Sequence, residues 1–97
     1  YHPAVLRLVQ MTVSAAHAAG RKVSVCGELA GDPLALPVWL ALGVRELSMA
    51  GALVLPLKRK LLRSSGEAAA RVWNDISQLS TAAQVRAVLE KAASSQA

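Results

Sequence analysis

The stretch KVSVCGELAGDP, residues 22–33, decides the fold. Its first part, Lys22–Cys26, is short, rich in β-branched residues and closed by Gly27, which predicts a strand that runs into a turn. Asp32 is followed directly by a proline, and this pair is typical of an N-cap and the first residue of a helix. We therefore predict a helix over 33–42 and a strand–turn–helix unit around the turn.

The same order of elements follows a second time along the chain. Val44–Ala50 is again short and apolar and predicts a second strand, and the pattern turns helical over Pro56–Arg63. Strand, helix, strand, helix is a βαβα unit of the α/β class, with parallel strands joined by a crossover. Two strands cannot form a covered parallel sheet alone, so they belong to a larger barrel or open sheet, or they are buried against a second copy of the chain.

Three further helices flank this unit, and each carries a start or stop signal. The first is amphipathic, the second opens at Ser65 or Gly66, and the third has the capping box Thr81 with Gln84. The predicted ranges are His2–Ala19, Glu67–Leu79 and Thr81 to about Ala93, after which Ala92–Ala97 looks frayed.

Composition excludes several classes of protein. With 54% hydrophobic and 18% charged residues in 97, the chain is not a disordered tail. The net charge of +5 suits nucleic acid or an anionic membrane, but 3% aromatic residues leave little on which bases can stack. Leu34–Val44, the longest apolar stretch, falls short of the roughly 20 residues that span a bilayer. We expect no nucleic-acid partner and no membrane insertion.

The number of cysteines indicates the cellular compartment. One cysteine cannot form an internal disulfide, and no Cys or His pair has zinc spacing, so we expect a reduced, cytoplasmic protein without a structural metal. The chain opens at Tyr1 without an initiator Met or a leader pattern. We therefore expect the numbering to begin inside a longer protein.

Cys26 is the candidate catalytic residue. It stands at the carboxyl end of the first predicted strand, before Gly27, which is the active-site end of a βα unit. The alternative is that this lone cysteine is a small buried hydrophobe. Glu28 either orients the turn through hydrogen bonds or contacts a ligand, and Asp32 is a helix cap or, less simply, a ligand or metal group. Met49 lines the site or packs in the core.

The remaining polar and aromatic candidates have structural interpretations. His2 and His17 are expected to be structural or solvated, and Trp39 and Trp73 to be core or interface anchors. One cluster of cations either attracts an anionic substrate or is a solvated helix face. Its members are Lys58, Arg59, Lys60 and Arg63.

Four collinear blocks carry a family resemblance: HPAVLRL at 2–8, VCGELAGDP at 25–33, LGVRELSMA at 42–50 and LPLKRKLLR at 55–63. They resemble the carboxyl-terminal part of Enzyme I of the phosphoenolpyruvate:sugar phosphotransferase system, over about Tyr1–Leu89. The CGELAGD block is specific, because pyruvate phosphate dikinase and phosphoenolpyruvate synthase are similar around the cysteine but usually differ after the glutamate.

The resemblance implies a fold and an assignment of segments. It implies that the chain is a fragment of a (β/α)8 TIM barrel, since a barrel of about 250 residues has roughly 31 per unit and the chain then holds about three. Residues 1–63 would be a helix plus the last βα units, and 64–97 additional terminal helices.

The resemblance also implies an activity. The complete protein would be a cytoplasmic, Mg²⁺-dependent transferase of sugar transport, in which phosphoenolpyruvate phosphorylates a histidine on a separate domain and the phosphoryl group passes to a histidine phosphocarrier protein. In that family the residue matched by Cys26 protonates the enolate carbon to give pyruvate.

The matching residues of this chain include neither the phosphohistidine segment, the arginines that hold phosphoenolpyruvate, nor the magnesium ligands. The isolated chain is therefore expected to be inactive, and a homo-oligomer, such as a homodimer, is expected. Alternatives are a non-catalytic oligomerisation segment, giving a homodimer or other homo-oligomer, and the equivalent segment of pyruvate phosphate dikinase or phosphoenolpyruvate synthase.

Overall fold

The two predicted strands pair in parallel. A computed structural model describes residues 1–95. In it β1 (Ser24–Val25) and β2 (Glu46–Leu47) form a two-stranded parallel sheet with Ser24 opposite Glu46 and Val25 opposite Leu47. One residue beyond β2, the Ser48 N–H donates to the Val25 carbonyl at 2.8 Å. The α/β order of the elements is confirmed in this mostly helical chain.

The strands are shorter than predicted. We predicted strands over Lys22–Cys26 and Val44–Ala50, and only two residues of each adopt strand geometry. Within residues 1–95 each strand has a neighbour on one edge only. A two-stranded sheet is only marginally stable, because each strand lacks a partner for the backbone hydrogen bonds of its outer edge. The length of a strand therefore depends on how many strands lie beside it, and an apolar sequence pattern does not give that number.

Helices supply most of the ordered chain. The crossover between the strands begins with two 3₁₀ turns and continues as α2. In order, the helical elements are α1 (Pro3–Ala18), the 3₁₀ turns Leu29–Gly31 and Pro33–Ala35, α2 (Leu36–Leu42), α3 (Gly51–Leu62), α4 (Gly66–Ile76) and α5 (Ala82–Ser95).

Local capping signals place the starts of α1, α4 and α5 and the end of α2 within one residue of the predicted positions. The His2 Nδ1 accepts from the N–H two residues on at 3.1 Å, and the Ser65 hydroxyl accepts from the N–H three residues on at 3.1 Å. Thr81 and Gln84 exchange side-chain-to-backbone hydrogen bonds of 3.2 Å in both directions, which confirms the capping box. Gly43 ends α2 with a left-handed φ of 80°, a conformation that favours glycine.

Several predicted boundaries are wrong or incomplete. The helix predicted over 33–42 is a 3₁₀ turn over Pro33–Ala35, and its α-helical part begins only at Leu36. We predicted a helix from Pro56, but α3 begins five residues earlier and carries Pro56 in its second turn, where only one backbone donor is lost. Helix α4 ends at Ile76 instead of Leu79. The predicted frayed tail is helical as far as Ser95, and Gln96 and Ala97 of the predicted terminal segment lie outside the described residues.

The core is formed mainly by helix packing. Helix α2 packs on α4, α4 packs on α5, and α1 adds two buried side chains. One side chain of each strand, Val25 of β1 and Leu47 of β2, is half-buried at the margin of this core, and the other is exposed. The buried members of the cluster are Leu6, Val13, Ala35, Val38, Trp39, Val44, Ile76, Val85 and Leu89.

Two helices leave apolar side chains exposed. On α1, Leu8 and Met11 are 62% and 66% exposed, and together with Val5 they form what we call the open α1 face. On α3, five large side chains are exposed and form the open α3 face: Leu53, Val54, Leu55, Leu61 and Leu62. None of the helices in residues 1–95 has the length and apolarity needed to traverse a bilayer.

Replacing Ile76 with alanine tests the helical core. Ile76 is 1% exposed where α4 packs in the core, so Ile76→Ala should lower the free energy of unfolding by about 2–5 kcal/mol. Arg71→Ala, on the exposed side of the same helix, should change it by less than about 0.5 kcal/mol. Urea denaturation followed by circular dichroism measures both. Equal losses in the two variants would contradict this core.

Candidate functional site

Cys26 lies where the sequence places it, at the carboxyl end of the first strand. Strand β1 ends at Val25, and the next residue carries an exposed, free thiol. Gly27 follows with a left-handed φ of 91° and turns the chain away from the sheet. Because Ser48, just after β2, donates to Val25, the carboxyl ends of both strands meet beside the thiol.

The turn after Cys26 is held against the core. Ala30, in its first 3₁₀ turn, has no exposed surface. The indole Nε1 of Trp39 donates to the Leu29 carbonyl at 3.4 Å, so one buried residue of α2 holds the backbone of the turn. The prediction that Trp39 is a core anchor is confirmed, and Trp73 packs half-buried against the same core.

Asp32 is a helix cap. Its Oδ1 accepts from the Leu34 N–H at 2.9 Å, and its Oδ2 accepts from the Tyr1 hydroxyl. The Arg86 guanidinium lies 5.4 Å from the centre of the Tyr1 ring, within cation–π range. Both carboxylate oxygens of Asp32 thus have partners in the chain, which favours the structural interpretation over a ligand role.

Gly31 allows α3 to approach the turn. A Cβ atom at this position would lie 2.7 Å from Leu53 Cδ1 and 3.2 Å from Met49 Cβ. Met49, between β2 and α3, is half-buried and packs against the turn. Its contact is therefore a packing contact next to the site.

Glu28 and His17 are exposed. In residues 1–95 the Glu28 carboxylate has no hydrogen-bond partner, so the structure gives no support to an orienting role through side-chain hydrogen bonds. Direct ligand contact by Glu28 stays a prediction. His2 is the N-cap of α1, as its structural interpretation requires.

A groove of about 350 Å³ lies beside Cys26, between α1 and β1. Its lining contains no charged side chain: Val5, Leu8, Val9, Thr12, Val13, Val23, Ser24, Val25 and Cys26. The groove offers a thiol against an apolar wall. It has no cation for a phosphate, and among residues 1–95 no three His, Cys, Asp or Glu side chains are grouped to hold a metal ion. Residues 1–95 therefore offer no magnesium site beside the thiol.

The basic cluster near the end of α3 is not a uniform solvated face. Lys58 is exposed, whereas Lys60 is half-buried and its Nζ donates to the Pro33 carbonyl. Desolvation lowers the pKa of Lys60 below its ordinary value of 10.5, and the negative charge of Asp32 offsets part of this effect. The Lys60 contact with the turn had no signal in the sequence, and neither did the contact between Tyr1 and Asp32.

Comparison with protein families supports the resemblance. The family described as PEP-utilising enzyme, PEP-binding domain, where PEP is phosphoenolpyruvate, matches residues 1–65. This range holds α1, both strands, the Cys26 turn, α2 and α3. Helices α4 and α5 lie beyond it.

Curated relatives extend the match over most of the chain. A phosphoenolpyruvate-protein phosphotransferase of Geobacillus stearothermophilus is 45% identical over 85 residues, which cover 88% of this chain and 15% of that protein. The protein of the same name from Bacillus subtilis (strain 168) is 37% identical over 91 residues, covering 94% and 16%. The chain spans about 15% of the length of these relatives. The resemblance to this group of transferases is confirmed.

Gly31→Ala tests the contact that positions the turn. The added Cβ is too close to Met49 Cβ and Leu53, so we expect a loss of about 1–3 kcal/mol in the free energy of unfolding. Gly51→Ala, at the start of α3, is the matched control, because a Cβ there meets nothing within 4 Å. Urea titration compares them, and a Gly31 variant as stable as the control would show that α3 does not approach the turn this closely.

Proposed function

Since the chain belongs to the family of PEP-utilising enzymes, as part of their PEP-binding domain, we propose that it is the carboxyl-terminal segment of a phosphoenolpyruvate-protein phosphotransferase. The observation that carries this proposal is the match of nearly the whole chain, Cys26 turn included, to about 15% of proteins that bear this name. Because these relatives are named phosphoenolpyruvate-protein phosphotransferases, they favour this enzyme over pyruvate phosphate dikinase or phosphoenolpyruvate synthase.

In the complete protein the chain would supply the last βα units of a (β/α)8 barrel. The parallel pair of β1 and β2 supports this proposal, and so does Cys26 at the carboxyl end of a strand, the end where such barrels hold their active sites. The single-edged strands and the open α1 face would then meet the neighbouring units of the barrel.

Cys26 would complete the reaction by proton transfer. When the phosphoryl group of phosphoenolpyruvate passes to an enzyme histidine, an enolate remains. The Cys26 S–H bond breaks, a C3–H bond forms, and the enolate oxygen becomes the carbonyl of pyruvate; the thiolate then regains a proton from water. Thiols suit this role because they are weaker acids than carboxylic acids and stronger acids than alcohols.

The remaining functions of the enzyme would reside in other segments. The groove beside Cys26 has no charged lining, so the groups that hold the phosphate must come from elsewhere in the complete protein. Residues of those segments would also hold Mg²⁺, whose chemistry there would be charge neutralisation. A histidine phosphocarrier protein would accept the phosphoryl group in the cytoplasm during sugar uptake.

A second candidate function is assembly. The exposed side chains of the open α1 and α3 faces favour it, because large exposed apolar patches mark interaction surfaces. In this alternative the chain joins copies of itself into a homo-oligomer and contributes no chemistry.

The variant Cys26→Ala, made in the complete protein, tests the proton-transfer role. We expect pyruvate formation to fall by about 10²–10⁴-fold while most phosphoenolpyruvate affinity is retained, since the thiol acts on carbon and holds no phosphate. Ser14→Ala, exposed on α1 and outside the lining of this groove, is the control and should turn over normally. Wild-type turnover by Cys26→Ala would exclude the role.

The isolated chain should consume no phosphoenolpyruvate. Because the groove beside Cys26 carries no cation, substrate, Mg²⁺ and phosphocarrier protein should yield no pyruvate in a coupled assay with the 97-residue chain. Repeated turnover by this chain would contradict the proposal that other segments of the complete protein bind the phosphate.

Self-association of the isolated chain tests the open faces. Burying one Leu or Met side chain is worth about 1.5–3 kcal/mol, so sedimentation equilibrium should detect oligomers at micromolar concentration. Leu8→Glu should shift the chain toward monomer, and Ser14→Glu, also exposed on α1, should not. A wild-type monomer with strongly protected strand amides would show that the segment closes its own core.

A further inference from the structure

We propose that a cleft between the second 3₁₀ turn and α3 binds a small organic phosphate, such as a phosphate monoester. The cleft holds about 300 Å³. Its lining consists of three cations and four apolar residues, the last of them on α5: Arg59, Lys60, Arg63, Pro33, Leu34, Pro56 and Ala93. It shares no residue with the groove beside Cys26, so the proposal goes beyond the function proposed above and does not rest on it.

Charge in the cleft is of one sign. Arg59 lies in the last turn of α3 and Arg63 is the C-cap residue that follows it, and both line the cleft. No carboxylate lines the cleft, and the only ion pair in residues 1–95 is Arg86–Glu90, on another helix. Arginine forks bind phosphate oxygens in pairs, which gives geometry as well as charge.

Lys60 is held in place for an anion. Its ammonium donates to the Pro33 carbonyl and is half-buried, which lowers its pKa. The negative charge of Asp32 acts on the Lys60 ammonium, but the Asp32 carboxylate already accepts hydrogen bonds from the Tyr1 hydroxyl and the Leu34 N–H. An ammonium in this partly desolvated position gains more from a bound anion than a fully hydrated one does.

The apolar lining indicates an organic ligand of small size. Pro33, Leu34 and Pro56 offer surface for a few carbon atoms next to the cations. A volume of about 300 Å³ is at the lower end of the range for small-molecule pockets. Inorganic phosphate is also an anion, but it has no carbon atoms to contact the apolar lining. An alkyl phosphate should therefore bind more tightly than inorganic phosphate.

Titration with inorganic phosphate and with propyl phosphate tests the proposal. The 97-residue chain, ¹⁵N-labelled and at physiological ionic strength, should show saturable amide shifts at Leu34 and Arg63, with propyl phosphate the tighter ligand. The Lys60 pKa should rise on binding, because a bound anion favours the charged ammonium.

Matched variants distinguish binding in the cleft from nonspecific attraction of the phosphate to the positive charge of α3. Arg59→Gln and Arg63→Gln should each weaken binding about tenfold, as expected for the loss of a hydrogen bond to a charged group. Lys58→Gln removes the same charge from the same helix outside the cleft lining and should change affinity by less than about twofold. All three side chains are exposed, so amide-shift dispersion should show that each variant folds.

Three results would overturn the proposal. One is the absence of saturable binding to the unaltered chain, and another is equal weakening by Lys58→Gln and Arg63→Gln. The third is equal affinity for inorganic and propyl phosphate, which would show that the apolar lining does not bind the organic group of the ligand. Cys26→Ala should leave the affinity unchanged, so a failure here is distinguishable from a failure of the proton-transfer role.

Discussion

The structure depends on satisfying the backbone of the buried turn between β1 and α2. Buried N–H and C=O groups without partners are costly, so this turn can enter the core only if its polar groups are bonded. The Leu29 carbonyl accepts from the Trp39 indole and from the Asp32 N–H, at 3.4 and 3.3 Å, and Asp32 caps the following 3₁₀ turn. With these bonds made, Ala30 is fully buried.

The same turn gives an exposed thiol a defined position. Cys26 is itself outside the core, but β1 fixes the chain before it and the buried turn fixes the chain after it. At the far end of the turn, the Pro33 carbonyl accepts from Lys60 and so links α3 to it. The thiol groove and the basic cleft are therefore placed by opposite ends of one anchored segment.

Features set by near neighbours in sequence were predictable, and features set by distant neighbours were not. The Asp32 cap and the Thr81–Gln84 box join groups within four residues, so residue order alone specifies them. The Tyr1–Asp32 contact spans 31 positions and Lys60–Pro33 spans 27, and no local pattern encodes either. Strand length failed for the same reason, because it depends on a second neighbouring strand.

The placement of charge argues that the chain contributes one part of a larger site. Phosphoryl transfer needs cations at the phosphate, whereas the groove that holds Cys26 has none in its lining and the α3 cations line a separate cleft. The proposed (β/α)8 barrel would resolve this separation, because the active site of such a barrel takes catalytic groups from the ends of several strands. Under the proposed function, β1 delivers the proton donor and other strands deliver the charge. A thiol against an apolar wall would then suit its task, because the proton goes to the carbon end of the enolate, which carries less of the negative charge than the oxygen.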